Sequence, residues 1–335
     1  MSSAPGPEEI ARDATWLAQA LDPGAGMVRL VAMDRDSYRA ASFLDDRLMQ
    51  TPVDAQVVPW PDVETAVDGD LRTNARWIFH IGHVGSTLVS RLLGEVRDVL
   101  AIREPRLLRD IAVSPAEVRG RYLAAVPKLM SRTFAGQEIA CIKATSFANE
   151  LAPQLVPAGE RALFIYASPR NYIAGILAGE NSVKELHALA DFRRQRLAGR
   201  GIELPASRSE GELAAASWAC EMTALEAAAD AMSDRLLEWA DFDAMLSNMP
   251  SELGRIAAFF GFKAHSDRLQ AIATGPLVRR YSKDPSYEYS AQLRQDLIAQ
   301  EHRLRGPEIE AGLAMLCSAA EKSPLLARAL ARAEA

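Results

Sequence analysis

Five short apolar runs, at residues 77–81, 99–102, 139–142, 162–167 and 236–239, punctuate the middle of the chain between longer amphipathic stretches. Runs of this length suit buried strands, and the spans between the first four suit single crossover helices. The pattern therefore predicts βαβ units and an α/β fold, three layers deep, around a central parallel sheet of about five strands. From 167 to 236 the sequence turns helical, with candidate helices at 169–178, 183–197 and 210–234. These are expected to form a helical cover that walls a cleft over the sheet. Further helices are expected at 251–260, 291–304 and from Pro307 onward. Ahead of the sheet, residues 7–21 and 35–48 carry apolar side chains at helical spacing, and MVRLVAM between them reads as a strand. Residues 1–70 are accordingly an amino-terminal annex, packed on a main domain of 71–335.

Composition narrows the function. A chain of 335 residues, 49% hydrophobic and 24% charged, has the make-up of a globular enzyme with a sizeable core. A net charge of -6 argues against a nucleic-acid partner, which calls for a basic face to displace phosphate counterions. Cys141, Cys220 and Cys317 lie far apart with no CxxC pair and no histidine at metal-ligand spacing, so they read as free thiols of a reducing compartment. The start of the sequence lacks a basic segment followed by an apolar run, and no stretch reaches the apolar length of a membrane span. A cytoplasmic protein with no membrane partner is the expectation.

The segment RWIFHIGHVGSTLVSRLLGEV places the first strand before Gly82, then a small-residue turn, then a helix with Leu88, Leu92 and Leu93 on one face. Strand, turn and helix in that order aim backbone N–H groups and the positive end of a helix dipole at an anion. Ser86 and Thr87 add hydroxyl donors, and Gly85 removes side-chain obstruction. The loop is not a Walker A motif, which would need glycine where His80 stands and lysine where Ser86 stands. A helix merely capped by Ser86 and Thr87 is the competing reading.

The run IGHVGSTLVSRLL resembles the sulfotransferase loop that holds the 5′-phosphosulfate of 3′-phosphoadenosine-5′-phosphosulfate (PAPS). In order downstream, LAIREPRLL is similar to the family's second-strand Glu segment and CIKAT to its third-strand Lys segment. FIYASPRNYIAG is similar to the segment that binds the 3′-phosphate, LLEWADFDAML to the Tyr-Glu-Asp-Leu-like region, and PLVRRYSKDP to the carboxy-terminal basic segment. The resemblance spans about residues 77–285. It implies PAPS as donor, a small-molecule acceptor and no metal. It also implies that His83, Val84, Gly85, Ser86, Thr87 and Leu88 hold the phosphosulfate.

Sulfuryl transfer spreads negative charge over equatorial oxygens and a leaving phosphate, so placed donors and cations supply the catalysis. His83 stands where the family has a Lys or Arg facing the bridging oxygen. Glu104, at the carboxyl end of the second strand, takes the family's general-base role, against an alternative in which it pairs with Arg103 or Arg106. Lys143, at the end of the third strand, is a candidate sulfate or phosphate contact. Ser168 and Arg170 begin a helix after the fourth strand, another anion-suited position. Placing Pro169 on the family proline leaves Ala167 and Gly175 where an Arg and a Ser grip the 3′-phosphate. Either Arg170, Arg279, Arg280 or Lys283 substitutes, or the donor is not standard PAPS. An ATP-dependent transferase or kinase, and a non-catalytic nucleotide-binding protein, are the alternative functions. The basic runs 193–196 and 303–305 read as solvated helix faces.

Overall fold

The computed structural model describes residues 4–280 and 290–334. Its centre is a five-stranded sheet in the order β5-β6-β4-β7-β8. The strands are β4 (Arg76–His80), β5 (Val99–Arg103), β6 (Ile139–Lys143), β7 (Arg161–Tyr166) and β8 (Leu236–Asp241). Every pairing is parallel, so all five carboxyl ends open on one edge, and β4, buried at four of its five residues, lies in the middle. Parallel strands covered on both faces must be apolar almost throughout, which is why these runs stand out in the sequence.

The cover is as expected in outline. Helices Pro169–Leu177, Glu180–Gly199 and Glu210–Asp230 pack on one another beside the sheet, and Ala291–Leu304 packs against the first of them. The final helical stretch differs from the expectation. It is two helices, Gly306–Ala320 and Pro324–Glu334, because Pro324 lacks the N–H that would continue the first. Arg193 and Arg196 do not form a solvated face. Arg193 is buried against Glu185, and Arg196, half-buried, lies between Glu221 and Glu150.

The annex is more β than the sequence predicts. Residues 7–21 split into a short helix, Pro7–Arg12, and a strand β1 (Trp16–Asp22), and β2 (Met27–Ala32) is joined by β3 (Ala55–Pro59). Six consecutive residues of β1 are buried, so both faces are apolar, and that leaves no alternation to separate a strand from a helix. Residues 35–48 contain only the helix Arg35–Ala40 and the start of a 3₁₀ turn, Asp46–Gln50. The three-stranded antiparallel sheet packs on helix Arg106–Val113, where Leu21 N–H donates to Asp110 Oδ2 at 2.9 Å.

Arg103 locks annex to sheet. Only 2% exposed, it reaches back from the end of β5 to donate to the carbonyls of Tyr38, Arg39 and Ala41, where helix Arg35–Ala40 ends. Those carbonyls have no partner inside the helix, and a guanidinium satisfies several of them in one plane. Leu44 N–H closes the junction on the Arg103 carbonyl at 2.8 Å. The clamp carries residues 43–47 to the carboxyl edge of the main sheet, beside the site.

Candidate functional site

β4 ends in a loop that turns through left-handed backbone at Gly82, His83 and Gly85 before helix Ser86–Leu93 begins. The first bond of the helical ladder is Val89 N–H to Gly85 O, and no side chain caps the helix. The N–H groups of Ser86, Thr87 and Leu88 therefore precede the ladder. Ser86 and Thr87 are buried, yet their hydroxyls make no hydrogen bond among the described residues. A merely capped helix would have used them. Val84 and Leu88 point their side chains into the core and offer only backbone to the loop. His83 sits against the cover, with Nδ1 3.3 Å from Ser182 Oγ and Nε2 3.7 Å from Glu185 Oε2.

Beside the loop, Glu104 ion-pairs with Lys143, not with Arg103 or Arg106. The pairing follows from register, since Arg103 and Lys143 are partners across β5 and β6 and the Glu104 N–H donates to the Lys143 carbonyl at 2.8 Å. Lys143 is 1% exposed. Burial alone would raise the Glu104 pKa, but the Lys143 ammonium and His80 hold it well below the carboxylate range. Glu104 and His83 both take positive φ, and strain of this kind, about 1–3 kcal/mol per residue, is tolerated where surrounding contacts over-determine the backbone.

His80, which the sequence offered only as a mismatch to another motif, completes this group. Gly82 N–H donates to His80 Nδ1 at 2.9 Å, so the ring hydrogen is on Nε2, which donates to Ala144 O at 3.0 Å and lies 3.6 Å from Glu104 Oε1. Burial, with Lys143 nearby, lowers its pKa to about 4. An unfolded histidine takes a proton near 6.5, so between pH 6.5 and about 4 the unfolded chain binds the extra proton and stability falls with acidification. The loss attributable to His80 is on the order of 3 kcal/mol, and His80→Gln is expected to flatten that part of a denaturant-derived stability profile. An unchanged slope in the variant would show that His80 is not the titrating group.

Loop, Glu104, Lys143 and His80 all line one cavity of about 700 Å³. The annex contributes Phe43 and Arg47, the segment after β6 contributes Phe147, and the cover contributes Ser182 and Arg193. The remaining expected contacts fall elsewhere. Ser168 caps its helix by accepting from Asn171 N–H, Arg170 is paired with Glu310, and neither lines the cavity; nor do Arg279 and Arg280. Lys283 lies outside the described residues. Three cavity arginines are not singled out by the sequence, Arg47, Arg109 and Arg294; the last two sit in unremarkable helices whose facing surface only the fold reveals. Arg294 is held by Asp243 at 2.9 Å, and a Cβ on Gly175 would lie 3.7 Å from its Nη1.

Among the described residues, no group of His, Cys, Asp and Glu is placed to hold a metal ion, and no helix is long and apolar enough to cross a membrane. Fold and site together define an α/β protein with an anion-suited loop at the middle strand and a buried carboxylate, ammonium and imidazole beside it. Neither a family model nor a curated protein matches the chain. Solved structures are similar to it, among them the following three. The sulfotransferase domain from the curacin biosynthetic pathway is 11% identical over 66% of this chain and 85% of that one, with a TM-score of 0.41. Mouse sulfotransferase SULT7A1, complexed with PAP, is 13% identical over 78% and 90%, with a TM-score of 0.40. The sulfotransferase domain of the Synechococcus PCC 7002 olefin synthase is 14% identical over 70% and 95%, with a TM-score of 0.39.

Proposed function

We propose that the chain transfers a sulfuryl group from PAPS to a hydroxyl or amine of a small acceptor. The observation that carries this reading is the shared cavity, in which an uncapped loop with two unpartnered hydroxyls faces the same space as the Glu104–Lys143 pair. The phosphosulfate would rest on the N–H groups of the loop and on Ser86 and Thr87, with His83 on its exposed side. The acceptor oxygen or nitrogen forms a bond to sulfur while the bond from sulfur to the bridging oxygen breaks, and adenosine 3′,5′-bisphosphate leaves. Glu104, kept ionised by Lys143, takes the acceptor's proton. A weakly basic carboxylate suffices because that proton becomes strongly acidic as the bond to sulfur forms.

The 3′-phosphate is assigned to Arg294. It lines the cavity next to Gly175, where the family serine would stand, whereas Arg170 is engaged by Glu310 and the Ala167 carbonyl by Trp218 Nε1 at 2.9 Å. A charge-assisted contact to a dianion gains more than the pair with Asp243 loses, since a phosphate offers several acceptor oxygens. Adenosine 3′,5′-bisphosphate at 100 times its Kd should stabilise the protein by about 2.7 kcal/mol, read as a rise in melting temperature. Arg294→Ala should weaken that response about 10- to 100-fold in concentration and spare the response to adenosine 5′-phosphate. A clear rise with ATP and magnesium but none with the bisphosphate would replace this reading with the phosphoryl-transfer one.

A further inference from the structure

The strand order divides the cavity. β4 and its loop lie in the middle; Tyr172, Gly175, Phe242 and Arg294 follow from the β7 and β8 side, while Glu104, Arg109 and Phe147 follow from β5 and β6. The nucleotide assigned above occupies the first side, so the acceptor's side is the second, and to that extent the inference rests on the proposed function.

The cations of the cavity are mostly committed. Arg47 pairs with Asp45, Arg193 with Glu185, Arg294 with Asp243 and Lys143 with Glu104. Arg106 takes both oxygens of Asp46 and also reaches Asp110. Arg109 differs. Among the described residues it forms no hydrogen bond and no ion pair, and its guanidinium is 4.8 Å from the centroid of the Phe147 ring. Asp46, the carboxylate whose charge it senses, is occupied by Arg106. A guanidinium laid on a ring keeps its plane fixed while its edge donors stay available, which lowers the ordering cost of gripping a planar anion.

We propose that Arg109 recognises a carboxylate on the acceptor, making this site specific for hydroxylated or aminated acids over their neutral counterparts. Arg109 is three residues beyond Arg106, the first residue of its helix, and that helix begins two residues after Glu104. A bound carboxylate there sets the nucleophile at a fixed reach from the base. A bidentate charge-assisted pair is worth about 10- to 100-fold in affinity over a carboxamide of the same shape.

The test uses the full chain and the matched probes 4-hydroxyphenylacetate and 4-hydroxyphenylacetamide, titrated calorimetrically into the native protein, Arg109→Ala and Arg109→Lys, with adenosine 3′,5′-bisphosphate present and absent. The acid should bind the native protein about 10- to 100-fold more tightly than the amide. The preference should vanish in Arg109→Ala and return in part in Arg109→Lys, which keeps the charge but not the fork. Because Arg109 is exposed and makes no hydrogen bond, melting curves of the variants should match the native protein and exclude misfolding. No preference in the native protein, or an equal one in Arg109→Ala, overturns the assignment. Acid preference without any bisphosphate stabilisation would reject the PAPS reading and leave Arg109 standing as a carboxylate site.

Discussion

Glu104→Gln is expected to lower stability by about 3–5 kcal/mol and to reduce sulfuryl transfer on the order of 10²- to 10⁴-fold. The stability loss arises on the partner. Lys143 is 1% exposed and ion-paired with Glu104, so an amide in place of the carboxylate takes the negative charge away from beside a buried ammonium. Lys143→Met made together with Glu104→Gln removes the buried positive charge as well and should recover at least half of the lost stability in urea unfolding, because two neutral side chains of similar shape replace the pair. Turnover should not recover, because no proton acceptor has been restored. A single variant as stable as the native protein would mean that the pair contributes nothing to folding. A double variant that regained activity would remove Glu104 from the base role.

The same pair shows what a linear sequence conceals. Glu104 and Lys143 both follow short apolar runs, which makes their strand-end positions easy to find. Their contact depends on β5 and β6 being neighbours in a particular register, and nothing in the composition of two parallel strands specifies which strand lies beside which. The five main strands are legible because each is an isolated apolar run, and in β4 to β7 that run is buried on both faces. β1 was not, because its apolar residues run on from an amphipathic helix without a break in pattern. His80 could have been suspected from its place at the strand end before two glycines, but its role comes from the curl of the loop that brings Gly82 N–H onto Nδ1. Arg109 and Arg294 are invisible for a plainer reason. An arginine among other charged helical residues becomes informative only when its neighbours are known to be paired and it is not, or when a glycine on another helix leaves it room.

Gly85→Ala is expected to cost about 2–5 kcal/mol, and the structure changes the reason for it. On sequence grounds the glycine clears a path for the anion. In the fold, a Cβ at Gly85 would lie 1.8 Å from Phe242 Cζ and 2.0 and 2.5 Å from the adjoining ring atoms, so the side chain would enter the ring itself. Phe242 is 1% exposed and cannot swing away without opening the core under β8. A φ of 62° adds about 1–2 kcal/mol of strain for any residue with a Cβ. The two contributions separate in a double-mutant cycle. Phe242→Ala alone leaves a cavity and should destabilise by about 3–5 kcal/mol, but it also vacates the space that the alanine methyl needs. Gly85→Ala with Phe242→Ala should therefore be more stable than the sum of the single variants by about 1–3 kcal/mol, leaving mainly the backbone strain. Bisphosphate stabilisation is the second readout. If the methyl acts only by displacing Phe242 and dragging the loop with it, the double variant regains the melting shift that Gly85→Ala loses. If the methyl blocks the anion directly, stability is restored and the shift is not. Strict additivity in stability would mean that the Phe242 ring does not constrain the loop at all.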